Sequence, residues 1–283
     1  AVDDSIYFLP HSGTWNVGLV FLDWSDMEGN SGDKNYYVDE AKKLSTWYES
    51  VSNAKININW RISEKWARLP GHSKDYYTSD NTDGSDEARQ PREQKLLDLA
   101  VEATDLRFNY ADLDVVIYAI PRGNVVFTSG SQGFESNNYP GSRRATVVKS
   151  KEKTIGNWIL SGSKFMDDKN RSPAFVHWAH EMGHMMGLTG HRTPSNPPNS
   201  KNYFQNPMSG TGLFSDQWSV LRAVEGWNSW MLGWLNDTDV KCVDAGSLEV
   251  DIFEILENRS SDPGTKLLIV RTGVETGLVI ESR

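Results

Sequence analysis

The segment from His180 to His191 reads HEMGHMMGLTGH. It sets two imidazoles four residues apart, a carboxylate beside the first, and a further histidine seven residues after the second. On a helix, residues four apart stand one turn above each other on one face. His180 and His184 can then direct ring nitrogens at one ion, with Glu181 beside the first ligand as a general base. Zinc suits such a pair, because it takes nitrogen ligands tetrahedrally and keeps a position for water. A bound zinc ion polarises a carbonyl and lowers the pKa of its water to roughly 7. The expected chemistry is metal-assisted hydrolysis with Glu181 as the catalytic residue and Zn2+ as the cofactor.

A helix has to carry these groups. Ser172 followed by Pro173 predicts its start, with a side-chain oxygen at the N-cap and proline in the first position. Gly187 predicts its stop, since glycine takes the left-handed conformation without a Cβ penalty. At about 100° per residue, His177, His180, Glu181 and His184 share one face. Phe175, Met182 and Met186 fall opposite, with Ala179 nearby. The H-E-x-x-H pattern alone also arises by chance. The helix start, the two faces, the glycine stop and a further histidine together favour a metal site.

The third ligand is less direct. His11 and His72 lie far off in segments with no other ligand signal. His177 forms an i,i+3 pair with His180, but that arrangement strands His184, so a cleft-wall role suits it better. His191 can return to the metal after the Gly187 turn, with Gly190 absorbing one extra residue. His191 is therefore the expected third ligand, and Asp216 and Glu225 are the carboxylate alternatives.

Alternating segments lead up to that helix. IYFLP (6–10) and WNVGLVFLDW (15–24) read as strands, and 36–52 as a helix with apolar residues at Val38, Ala41, Leu44, Trp47 and Tyr48. KININWRIS (55–63) alternates as a half-buried strand does. Residues 91–105 read as a helix with Pro91 in its first turn. DVVIYAIP (114–121) reads as a central strand. From 122 to 170 come loops and edge strands around 124–129, 144–150 and 157–162, then the motif helix. A Pro- and Asn-rich stretch follows at 191–207, then a helical region at 215–235. LEVDIFEIL, TKLLIVRTG and GLVIESR read as strands of a small β region, and the pattern runs to the end of the chain, so a longer natural protein is expected. The order suggests a twisted mixed sheet backed by helices, an α+β fold.

The 283 residues suffice for one large domain or two small ones. A net charge of −9 disfavours nucleic acid and anionic membranes. No apolar run is long enough to span a bilayer. The first residues, AVDDSIYFLP, read as a mature start after removal of a signal or pro-segment, hence a secreted chain. Cys242 is the sole cysteine, which rules out an intrachain disulfide and thiolate zinc clusters. Asp80, Asp83 and Asp86 around Gly84 faintly suggest a Ca2+ loop, but the spacing misses the EF-hand pattern and a solvated acidic loop is the better reading. Trp227, Trp230 and Trp234 lie on one helical stripe, which core packing explains better than a substrate platform.

HEMGHMMG, a nearby histidine and then NPMSG at 206–210 resemble the metzincin clan of zinc endopeptidases. In that clan a methionine in a tight turn lies beneath the metal, the position Met208 fits. GHMMGL, MSG and WNSWMLGWL (227–235) are similar to the immune inhibitor A family of secreted bacterial metallopeptidases. The resemblance covers roughly 173–240. It departs at Gly190, where the clan places a ligand, and at Gly210, where some members place a tyrosine. It implies a metzincin-like peptidase domain over 1–238, with parts 1–187 and 188–238, followed by a β region over 239–283. The activity it implies is a secreted, monomeric, zinc-dependent endopeptidase on protein or peptide substrates. A zinc amidase acting on non-protein amides is the alternative enzyme. A secreted binding protein with a structural zinc is the alternative outside enzymes.

Overall fold

The computed structural model describes residues 8–76, 86–124, 146–163, 173–188, 224, 226–244, 248–255, 264–274 and 276–282. Its centre is a sheet. Strand β1 (Gly13–Asp23) is buried over nearly its whole length, as expected of a strand covered on both faces. It pairs with β2 (Ile56–Ile62) on one side and β4 (Val115–Asn124) on the other, and β7 (Asn157–Ser163) follows β4, giving the order β2-β1-β4-β7. The short β3 (Ala67–Arg68) pairs with the end of β1.

Every described pairing in this sheet is parallel. The mixed sheet expected above is corrected to that extent. The reason lies in the connections: helix α1 (Ser31–Val51) links β1 to β2 and helix α2 (Asp86–Thr104) precedes β4, and crossovers of this kind return the chain in the same direction. The coarse class stands, a mixture of helices and strands around a parallel central sheet.

Side chains alternate across that sheet. Trp15, Val17, Leu19 and Phe21 of β1, with Val115, Ile117 and Ala119 of β4, meet α1 and helix α3 (Ala174–Met185) on one face. Val20 and Leu22, with Val116, Tyr118 and Ile120, meet Leu96, Leu97, Ala100 and Val101 of α2 on the other. The histidine helix therefore rests on the same sheet face as α1.

Several sequence expectations shift. Residues 8–10 are not a strand; the Leu9 amide instead donates to the Met185 carbonyl at 2.8 Å. Helix α2 begins at Asp86, so Pro91 lies beyond its first turn. The apolar repeat that reveals a helix starts only at Leu96, which is why the earlier turns were invisible in the pattern. Two short strands, β5 (Val148–Lys149) and β6 (Thr154–Ile155), form an antiparallel pair.

Within 215–235 the described helix is α4 (Gly226–Met231), and Gly233 at φ +73° turns the chain out of it. The tryptophan stripe breaks there. Trp234 is fully buried while Trp227 is 41% exposed, so only Trp234 is core as expected. In the C-terminal region β8 (Val240–Val243) was missed. It pairs in parallel with β9 (Leu267–Arg271), and β10 (Gly277–Glu281) is antiparallel to β9. LEVDIFEIL contributes isolated bridges at Ile252 and Glu254 rather than a strand. The acidic segment with Asp80 and Asp83 lies outside the described residues, so the Ca2+ reading stays an expectation. No helix among the described residues is long and apolar enough to cross a membrane.

Candidate metal centre

Helix α3 carries AFVHWAHEMGHM and is capped by Pro173, whose ring offers no side-chain hydrogen bond. The expected start shifts by one residue, and Ser172 lies outside the described residues. The first amides of a helix have no partner within it and must find one elsewhere. Helix α1 supplies two. The Tyr36 hydroxyl accepts from the Ala174 amide and Glu40 Oε2 accepts from the Phe175 amide, both at 3.0 Å. A carboxylate at this end also complements the helix dipole. Glu40 is fully buried, and Lys43 Nζ pairs with its other oxygen at 2.6 Å. A third contact comes from Tyr48, whose hydroxyl donates to the Ala179 carbonyl at 3.1 Å. Burial pushes the Tyr48 phenol well above its ordinary range, so it remains a donor.

The C-terminal end closes as expected. Gly187 has φ +89°, its amide reaches the His184 carbonyl at 2.8 Å, and the Leu188 amide reaches the Gly183 carbonyl at 3.1 Å. This is the Schellman arrangement. It also turns the Leu188 carbonyl onto His184, whose Nδ1 lies 2.9 Å from it. A carbonyl only accepts, so Nδ1 carries the proton and Nε2 keeps its lone pair. Metal-binding histidines are commonly fixed in this way.

His180 and His184 meet edge to face with ring centroids 4.8 Å apart. Glu181 is 4% exposed, and its Oε1 lies 3.2 Å from His177 Nε2. Burial, reinforced by His184, pulls the His177 pKa from 6.5 to about 3, so that ring is neutral near neutral pH. The four groups expected on one face are together. The opposite face is more enclosed than expected, with Trp178 and Met185 fully buried beside Met182.

The donor set fits zinc as far as it is described: two imidazoles on one helix, one locked with Nε2 unprotonated, and a carboxylate alongside. Among the described residues no group of three His, Cys, Asp or Glu is close enough to hold an ion. His191, Gly190, Met208, Gly210, Asp216 and Glu225 all lie outside the described residues, so the third ligand and the methionine turn remain as the sequence expects them.

Sequence reasoning missed four residues near this helix. Tyr36, Glu40 and Tyr48 act from more than a hundred residues away. Glu40 did leave a signal, a carboxylate among the core-facing residues Tyr37, Ala41 and Leu44. His11, set aside as remote, is the fourth: its Nε2 lies 2.9 Å from the Met186 carbonyl, and its own carbonyl accepts from Trp234 Nε1 at 2.9 Å. It caps the helix end rather than extending the imidazole pair.

No protein-family model matches the chain, and no curated protein is similar enough to count as a match.

Proposed function

We propose that this chain is a zinc-dependent endopeptidase, secreted as the resemblance implies, that hydrolyses peptide bonds in protein or peptide substrates. The observation that carries the reading is the lock on His184: its Nδ1 faces the Leu188 carbonyl, so in the neutral ring Nε2 is the nitrogen that carries the lone pair an ion needs. His180 and His184 would hold the zinc, with His191 as the expected third ligand. Zinc, when bound, supplies Lewis acidity that polarises a carbonyl and eases the ionisation of water.

Glu181 does the proton work. Its carboxylate accepts a proton from the attacking water and later passes it to the leaving amine. The near-complete burial of Glu181 excludes most bulk water from that exchange. The helix ladder fixes its separation from both imidazoles, so base and ligands move as one body. A structural zinc gives no reason for a buried glutamate beside the first histidine, which favours the hydrolase over a binding protein.

A mixed peptide library digested by wild type and Glu181→Ala, read by mass spectrometry with zinc assayed in both, tests the reading. Cleavage by the wild type alone, with zinc retained in both proteins, supports it. Absence of cleavage by a zinc-loaded wild type overturns it in favour of an amidase or a structural ion.

A further inference from the structure

A helix leaves its last four carbonyls without partners of its own. In α3 and its cap these belong to Gly183, His184, Met185 and Met186. The turn at Gly187 meets the first two, through the Leu188 and Gly187 amides at 3.1 and 2.8 Å. The other two are met from the opposite end of the chain. The Leu9 amide donates to the Met185 carbonyl at 2.8 Å, and His11 Nε2 lies 2.9 Å from the Met186 carbonyl. A carbonyl only accepts, so this nitrogen of His11 carries a proton. His11 stands 175 residues from Met186 in the sequence, so half of this helix end is closed by a distant segment.

That segment is anchored in the core as well. Trp15 Nε1 donates to the Pro10 carbonyl and Trp234 Nε1 to the His11 carbonyl, both at 2.9 Å. Both indole side chains are fully buried, and Leu9 belongs to the same core cluster. Pro10 has no amide to give, and the donor that follows Leu9 onto the helix is the His11 ring. Gly13, at φ +102°, then turns the chain into β1. Leu9–His11 is thus a strap, pinned by two indoles and by the end of α3.

The strap closes on the turn that orients a ligand. Met186 lies between His184 and Leu188, and the Leu188 carbonyl fixes Nδ1 of His184 at 2.9 Å. Holding the Met186 carbonyl restrains the chain reversal that brings those two groups together. We propose that Leu9–His11 sets the geometry of His184 through this turn, with His11 as a positioning residue, so that docking of the strap and binding of zinc favour each other. The inference rests on the zinc reading of His184 given above. Such coupling is reciprocal: the factor that the strap adds to zinc affinity is the factor that zinc adds to docking of the strap. The effect is smaller than loss of a ligand's own partner, because His11 acts one hydrogen bond further from the ion.

The competing account is a cap that stabilises the fold and leaves the metal site indifferent. Competition with a chromophoric chelator separates the two, using wild type, His11→Ala and His11→Gln, whose amide nitrogen reaches about as far as Nε2. Zinc binding is expected to weaken by about 3–10-fold in His11→Ala and to stay near wild type in His11→Gln. Hydrogen exchange of the wild type gives the reciprocal arm and needs no variant. Zinc is expected to slow exchange of the Leu9 amide by the same factor, beyond any change at the Leu69 amide in the opposite core cluster. Equal affinity in all three proteins, or a Leu9 amide that merely follows Leu69, overturns the coupling and leaves the zinc site standing.

Histidine-selective 15N NMR of the metal-free protein tests the positioning apart from zinc. The Nδ1–H signal of His184, assigned from His184→Gln, is expected to move in His11→Ala and to return in His11→Gln. A signal indifferent to His11→Ala overturns the positioning role whatever the protein binds. A wild type that takes up no zinc, while that signal does move, overturns both the peptidase reading and the coupling to zinc and leaves the hold on the His184 ring intact.

Discussion

At its C-terminal end α3 closes on its own chain, with the Gly187 and Leu188 amides returning to carbonyls three and five residues back. At its N-terminal end the orphan amides of Ala174 and Phe175 are met by side chains 138 and 135 residues away. The two ends serve different purposes. The local turn orients a ligand, because the same chain reversal that satisfies the helix carbonyls aims the Leu188 carbonyl at His184. The distant caps place the helix, because Tyr36 and Glu40 tie it to α1 on a shared sheet face. Damage at one end should therefore show mainly in metal affinity, and at the other mainly in stability.

The largest stability effect is expected at Glu40. Glu40→Ala removes a fully buried acceptor and leaves the Phe175 amide without a partner. The expected loss is about 2–3 kcal/mol of unfolding free energy, read from the urea midpoint at constant m. Zinc affinity of the folded fraction should change little. A wild-type midpoint would show that the distant cap has no energetic role.

Gly187→Ala should invert that pattern. An L side chain at φ +89° is strained by about 1–2 kcal/mol. Misplacing the Leu188 carbonyl should also weaken zinc binding by about 10–100-fold, the usual cost of losing the partner that orients a ligand. Competition with a chromophoric chelator reads the affinity. If Gly187→Ala and Glu40→Ala lost affinity and stability in the same proportion, the division of labour between the ends would fail. Tyr36→Phe leaves the Ala174 amide unmet and should cost about 1–2 kcal/mol in the same urea experiment. It should be non-additive with Glu40→Ala, because the two amides are adjacent.

The same contrast explains what could be read from the sequence. Gly187 was legible because its effect is local: a glycine ending a periodic segment has one common structural use. Strands β1, β2 and β4 and helix α1 were legible for the same reason, since burial on both faces writes a continuous apolar run into β1 and β4, and burial on one face writes a period of 2 into β2 and of 3.6 into α1. Pro173 was legible as a helix start but not as a cap, because the atoms that replace its missing side-chain oxygen belong to Tyr36 and Glu40. His11 was dismissed on sequence distance, although Met186 lies within reach of its ring. The tryptophan stripe failed at Gly233, where a left-handed residue ends α4 and throws Trp234 into the core while Trp227 stays exposed. Pairing direction in the sheet was not legible from single strands. It follows from the helical crossovers, which only the chain order as a whole reveals.

Tyr48→Phe should have the smallest effect, and the reason sharpens the comparison. Its hydroxyl, like that of Tyr36, bonds the backbone of α3 and comes from the same helix. The bond is the more buried of the two, since Tyr48 is fully enclosed against Trp15 and Trp234 at ring distances of 4.8 and 6.2 Å. Burial alone would therefore rank Tyr48 above Tyr36. The Ala179 carbonyl, however, lies inside the helix, where the ladder already supplies an amide donor four residues on. Removing the hydroxyl orphans nothing, and phenylalanine keeps the ring packing. The expected loss is about 0.5–1 kcal/mol, below that of Tyr36→Phe. Unfolding midpoints of the two tyrosine variants, measured side by side, decide the matter. A larger loss at Tyr48 would mean that burial of the bond, rather than the orphaned amide at a helix end, governs how α1 holds the histidine helix.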